Sequence, residues 1–197
     1  MQFKDLQKYS EENGIMKITG PPCDWLKTLN TFSWGFRRYE RTEKAWQAFK
    51  KFDVFVFHSM KQEYLPDVSL PTGIIGIGLM SKKEVIENDP FDEAFTPEGL
   101  RPLKIYFSDM WLFGDISDIT NEPISAKKER GISTIVKDLA DLTDNAISFS
   151  TMKLNNCLIP TQGAVSTVSH DKAENLMRLI SEKISEPHLT NYPSSQK

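Results

Sequence analysis

Two apolar runs dominate the hydrophobic pattern of the chain. In residues 53–59, Val54, Val56 and His58 alternate with Phe55, Phe57 and Ser59. Both sides of that extended run are apolar, which predicts a strand in the interior of a sheet. Residues 73–80 predict a second strand. Its glycines, Gly73, Gly76 and Gly78, predict bending and close backbone approach, as in a curled sheet or small barrel. Residues 61–72 between them hold two prolines and read as a loop. Residues 103–107 alternate as a further strand, and the run 109–116 reads as another strand or a bulged continuation.

Helical spacing surrounds these strands. Phe3, Leu6 and Tyr9 share a face that Gly14 can end. A short strand at 15–18 is broken by Gly20-Pro21-Pro22, and residues 22–29 read as a helical turn with Trp25, Leu26 and Leu29 on one side. Residues 42–51 predict a helix capped by Thr42, with Ala45, Trp46 and Phe49 as its buried stripe. Residues 135–142 predict a short helix and 160–163 a turn. The clearest helix is 170–184, with Ala173, Leu176, Met177, Ile180 and Ile184 in register. Residues 81–102 read as a long loop carrying three prolines, Phe91 and Phe95. Loops of that length in a compact domain commonly serve function. The expected organisation is one domain over 1–186 and a polar tail or linker over 187–197.

Composition narrows the possibilities. The 197 residues, 39% hydrophobic with 12 Phe and 4 Trp, suffice for one globular core. Net charge is −3, but it is unevenly placed. Residues 34–51 hold six Arg or Lys (Arg37, Arg38, Arg41, Lys44, Lys50 and Lys51) against two Glu, whereas 81–98 holds six acids against two Lys. A local basic face can bind phosphate on an acidic protein, although a solvated helix face has the same composition. Cys23 and Cys157 fit free thiols in a reducing cytoplasm and make no metal-ligand spacing. No apolar run reaches the roughly 18 residues of a membrane span, and the N-terminus lacks a signal-peptide core.

Catalytic motifs are missing. There is no G-x-x-x-x-G-K-[ST] phosphate loop. His58, His170 and His188 lack partners at metal spacing, so no metal and no cofactor is expected. Ser59 beside His58 is no nucleophile–base pair, because strand neighbours point to opposite faces. The candidate chemistry lies instead at Ser33-Trp34-Gly35, where an indole sits between small residues ahead of the basic stretch. That suits a ring held open to a flat ligand, and it equally suits a ring plugging a barrel end. Phe91 and Phe95, large apolar groups in a polar segment, either fold onto the core or close a pocket.

In order, these segments (Ser-Trp-Gly, a basic helix, a strand ending Phe57-His58-Ser59, and a strand opening Gly73-Ile74-Ile75-Gly76) resemble the PUA-like superfamily, and within it the EVE and YTH domains. Residues 160–165 and the following helix resemble the end of EVE domains. The likeness spans about 15–185. It implies an α+β fold, with a curved mixed sheet or small β-barrel flanked by helices. It also implies a non-catalytic reader of a modified base in DNA, with N6-methyladenine favoured and modified cytosine as the other choice. The base would be flipped into an aromatic cage. Carried across, Trp34 is the first cage wall, Ser33 and Gly35 flank it, and Phe91 or Phe95 is the second wall. His58, at the end of its strand, is read from the residues alone, as either a structural histidine or a further pocket residue. Arg37, Arg38, Arg41 and Lys44 would hold phosphates. Such domains occur in modification-dependent restriction proteins, so an AAA+ GTPase or nuclease component is an expected partner. The rival readings are a PUA-like RNA-binding domain, an ASCH-type enzyme and a pure interaction domain.

Overall fold

The computed structural model describes residues 3–60, 70–89, 100–114, 139–159, 165–184 and 188–190. These form helices α1 (Phe3–Asn13), α2 (Pro22–Thr31), α3 (Glu40–Ala48), α4 (Ala140–Asp144), α5 (Phe149–Leu154) and α6 (His170–Lys183). The strands are β1 (Ile15–Gly20), β2 (Ser33–Phe36), β3 (Val54–Ser59), β4 (Gly73–Val85), β5 (Leu103–Leu112), β6 (Val165–Val168) and β7 (His188–Thr190). All seven join one sheet in the order β2-β5-β4-β3-β1-β6, with β7 also pairing β5. Among the described strands only β1 and β3 pair in parallel. The α+β architecture expected from the sequence, a curved mixed sheet flanked by helices, is the one the chain forms.

The sheet is buried on both faces because its strands are apolar on both. Phe55 and Phe57 of β3 join Trp25, Trp34, Phe36, Phe49, Ile105 and Phe107 in one core, beneath α2 and α3. Val54 and Val56 join Leu6, Ile77, Leu79, Trp111, Leu176 and Ile180 in the other, beneath α1 and α6. As its two-sided pattern predicts, β3 lies inside the sheet, between β4 and β1. The glycines of β4 also act as expected. A Cβ on Gly78 would sit 2.9 Å from Phe107 Cδ1 and closer still to the Phe57 ring, so the missing side chain lets those two rings meet at 5.1 Å across the strand.

Several elements differ from the sequence reading. The second strand does not stop at Met80 but continues to Val85, so residues 81–85 belong to the sheet and not to a loop. Register shifts around Met80 bend this long strand against β5. Within the continuation, the Lys83 ammonium donates to the carbonyls of Trp46, Gln47 and Phe49 at 2.9, 2.6 and 2.9 Å. Those acceptors lie at the α3 C-terminus, where the last carbonyls lack i+4 partners, so Lys83 ties the helix end to the sheet. The helix expected at 42–51 starts at Glu40 and ends at Ala48, with Tyr39 and not Thr42 at its N-cap. Trp46 is half-buried, not core. Its indole donates to Lys104 O at 2.9 Å, and the Lys83 ammonium lies 5.0 Å from its ring centroid. Strand β5 is one continuous strand, the bulged-continuation alternative and not two separate strands. Residues 188–190, placed in the tail by the sequence reading, pair with Asp109–Trp111 of β5. The turn expected at 160–163 and the first half of the helix expected at 135–142 fall outside the described residues, and its second half enters α4 at Ala140.

The Gly78 contact can be checked by mutation. Gly78→Ala should lower unfolding stability by about 1–3 kcal/mol in urea denaturation, the usual cost of overpacking a core. An unchanged midpoint would show that the Phe57 and Phe107 rings can part freely.

Candidate functional site

The site forms where α2, β2 and the entry to β5 meet. Pro22 sits at the start of α2, where a missing N–H costs nothing. The helix that follows is buried from Pro22 through Leu29, its charged residues Asp24 and Lys27 included. Phe32, in the left-handed region at φ 52°, ends the helix. The chain then turns directly into β2, whose register on β5 sets Trp34 opposite Ile105 and Gly35 opposite Lys104.

Trp34 is not an open cage wall. Its side chain is 3% exposed and stacks on Trp25 with centroids 4.4 Å apart. The Trp25 indole in turn donates to Gly20 O at 3.0 Å. Trp34 nevertheless borders a narrow cleft with about 10 Å³ of enclosed free space, lined by Asp24, Lys27, Thr28, Ser33, Trp34, Gly35 and Arg101. Ser33 and Gly35 are thus placed beside Trp34, as the sequence suggests. Ser33 Oγ shares a hydrogen bond with Thr31 Oγ1 at 2.7 Å.

Buried ion pairs define this cleft. The Arg101 guanidinium pairs with the Asp24 carboxylate, and both side chains are largely withdrawn from water. Asp89 Oδ2 accepts from Lys27 Nζ and from Lys104 Nζ, each at 2.9 Å. Gly35 is where these groups crowd the backbone. A Cβ there would lie 2.8 Å from Arg101 Cβ and 2.9 Å from Lys104 Nζ. Burying ions costs several kcal/mol each unless they are paired, and removing one partner of a buried pair typically destabilises by about 3–5 kcal/mol. The chain holds these charges here against that cost.

Sequence reasoning missed Asp24, Lys27, Asp89, Arg101 and Lys104. They are scattered over the chain, and each alone reads as a solvated charge. The available signal was Asp24 and Lys27 flanking the apolar pair Trp25-Leu26, in a helix too apolar to expose much surface.

The remaining expected residues lie elsewhere. His58 is on the opposite face of the sheet from Trp34: β3 alternation sends Phe57 into the Trp34 core and His58 to the Val56 side. It is therefore not part of this cleft. It is buried next to Thr19 of β1, its strand partner, and Lys17 lies near enough to act on its charge. Burial foremost, and Lys17 second, hold its pKa down to about 4. The buried polar atoms His58 Nδ1, Thr19 Oγ1 and Ser166 Oγ make no hydrogen bond among the described residues. Phe91 and Phe95 fall outside the described residues. Arg38 and Lys44 are exposed and engaged with carboxylates, Arg38 with Glu87 at 3.0 Å and Lys44 with Glu40 at 2.7 Å. Arg37 is half-buried, its guanidinium 3.5 Å from the Tyr39 hydroxyl, and Arg41 is exposed. The basic stretch is therefore a mixed-charge surface whose exposed ion pairs are weak. Among the described residues no group of three His, Cys, Asp or Glu could hold a metal, and no helix is long and apolar enough to cross a membrane.

No protein-family model and no curated protein sequence matches this chain. Solved structures with a related course of the chain include a Pseudomonas syringae protein at 16% identity, overlapping 86% of this chain and 99% of that one with a TM-score of 0.45. A Leishmania major protein overlaps 86% of this chain and 95% of its own, at 12% identity and a TM-score of 0.40. The human THYN1 protein, solved in complex with 5-methylcytosine-containing DNA, overlaps 88% of this chain and 99% of its own, at 14% identity and a TM-score of 0.40. At such distances, what those proteins bind is theirs, and the site of this chain is argued from its own residues.

The buried His58 sets a pH dependence. Its folded pKa lies below the ordinary value of 6.5, so the unfolded chain takes up the proton first. The stabilisation is complete above pH 6.5 and is lost as pH falls toward 4. Between pH 7.5 and 4.5 the wild type should lose about 2–3 kcal/mol more than His58→Gln, by the linkage of a pKa depressed to about 4. Parallel urea titrations of the two proteins at both pH values measure this. Equal losses would mean that His58 charges as readily in the fold as outside it.

Proposed function

We propose that the chain reads a modified base in nucleic acid, DNA foremost, by taking a flipped base into the cleft beside Trp34. The observation that carries this reading is one cleft lined together by the buried carboxylate of Asp24, Arg101, Lys27, Ser33 and the edge of the Trp34 indole. A carboxylate in such a slot selects a base that presents an N–H donor. Cytosine presents an amino group at N4 and adenine at N6, whereas thymine turns the O4 acceptor there and offers only its N3–H. Both 5-methylcytosine and N6-methyladenine keep an N–H at that position. The added methyl contributes about 0.8 kcal/mol if fully desolvated, a few-fold preference on its own. Stronger selectivity comes from the fit of the base edge to Asp24, since hydrogen bonds to charged groups contribute about 1.5–3 kcal/mol.

Extracting a base from a duplex costs a few kcal/mol, so single strands and weakened pairs should bind more readily. Arg37, Arg38, Arg41 and Lys44, at the end of β2 and on α3 beside the cleft, are the groups proposed to meet phosphates. Their contribution is independent of sequence and falls with salt. The PUA-like resemblance supports the same reading and also the RNA alternative, which differs in strand and not in site. The restriction setting, with an AAA+ GTPase or nuclease partner, rests on the resemblance alone.

A binding panel tests the proposal. It measures anisotropy with single-stranded and duplex DNA and with RNA, each carrying 5-methylcytosine, N6-methyladenine or no modification. The modified strand should bind more tightly, and Asp24→Asn, shown folded by urea denaturation at the binding temperature because it breaks a buried pair, should weaken that binding by about tenfold or more. Arg41→Gln should weaken modified and unmodified strands alike and reduce the salt slope by about one unit. Trp34→Ala is a poor probe, because removing a buried indole typically costs about 3–5 kcal/mol of fold stability. The reading fails if the intact protein shows no preference across the panel.

A further inference from the structure

The cleft is undersized for the ligand it is proposed to take. Its enclosed free space is only about 10 Å³, room for about one water molecule, far below the roughly 300–1,000 Å³ of typical small-molecule pockets. Arg101 forms one of its walls and covers Asp24. Its guanidinium lies on the Asp24 carboxylate, and its Cβ and backbone carbonyl lie against Gly35, which has no side chain to keep them away. The side chain is only 11% exposed although it borders an open cleft. The guanidinium is planar and offers N–H donors to a carboxylate, the features an aminated base edge presents to the same oxygens.

We infer that Arg101 is an internal stand-in for the base, a latch that closes the cleft of the free protein and must leave Asp24 before a base can enter. The inference rests on the base-reading proposal and adds a regulation to it. Arg101 and the base compete for one carboxylate, so apparent affinity is reduced by the fraction of molecules that are latched. A base without an amino donor gives Asp24 no replacement for the guanidinium it gives up, and the latch stays shut. Once displaced, Arg101 carries its charge to the mouth of the cleft, where the phosphates of the flipped nucleotide lie. The latch thus separates two kinds of ligand. A nucleoside has to break the pair and has no phosphate to offer Arg101, whereas a strand recovers that charge.

The experiment follows the Arg101 guanidinium and Trp34 indole signals of ¹⁵N-labelled protein by NMR. The protein is titrated with 5-methyl-2′-deoxycytidine, N6-methyl-2′-deoxyadenosine and single-stranded oligonucleotides that carry each base. In the free protein the guanidinium should rotate slowly, held by Asp24. The ligand that shifts the Trp34 indole should release it to fast rotation when added as a nucleoside. Arg101→Met should bind that nucleoside at least threefold more tightly than wild type, with a smaller gain or a loss for the oligonucleotide. A residue that merely supports the fold would weaken both together. The latch is overturned if ligand shifts the Trp34 indole while Arg101 still rotates slowly. It is also overturned if a folded Arg101→Met loses nucleoside and oligonucleotide affinity to the same extent. If no nucleoside or oligonucleotide shifts the Trp34 indole, the base-reading proposal itself fails, and the latch falls with it.

Discussion

The carboxylate of Asp24, held out of water against the guanidinium of Arg101, is the interaction around which this end of the molecule is organised. A buried charge must be met by another charge or by several hydrogen bonds, and it is met here by a residue that the chain reaches only at the start of β5. Satisfying that requirement joins α2 to the β2–β5 edge of the sheet. Asp89 adds a second tie by bridging Lys27 of α2 and Lys104 of β5. The indole stack of Trp25 and Trp34 closes the apolar side, so the ions are bounded by rings on one flank and by solvent only at the cleft mouth. A polar group introduced there meets fixed charges in a low-dielectric pocket, where electrostatic discrimination is stronger than in water.

The sheet makes this arrangement possible. Strand β5 pairs with β4 along one edge and with β2 and β7 along the other. Its N-terminal half holds Lys104 on Asp89, while its C-terminal half packs Trp111 into the second core. The bend in β4 around Met80 lets the strand leave the sheet centre and still deliver Lys83 to the C-terminus of α3. Helix α3 and its basic side chains are therefore fixed relative to the cleft by the sheet and not by local sequence alone.

Much of the fold was legible in the sequence because periodicity reports burial directly. The two-sided pattern of β3, the glycines of β4 and the stripe of α6 each led to the right element. The site was legible only in part. Trp34 stood out for its small neighbours, and the cleft is beside it. The smallness of Gly35, however, serves Arg101 and Lys104, and the indole itself is buried on Trp25. His58, the further pocket candidate, lies on the other face of the sheet, and the alternation of β3 already separated it from Phe57. The ion pairs were not legible, since Asp24, Asp89 and Arg101 lie far apart in sequence and pairing between distant charges leaves no periodic trace. The continuation of β4 was hidden for a related reason: Lys82, Lys83 and Glu84 look like loop residues until Tyr106 and the end of α3 supply their partners.

The central claim is that Asp24, and not the exposed basic surface of α3, meets the base. A crystal structure of the protein with a short single-stranded DNA containing one 5-methylcytosine or one N6-methyladenine tests it most directly. The modified base should lie inside the cleft, its exocyclic nitrogen within about 3.2 Å of an Asp24 oxygen, with the sugar–phosphate running toward Arg37 and Arg41. A base bound outside the cleft, with Asp24 still covered by Arg101, would contradict it.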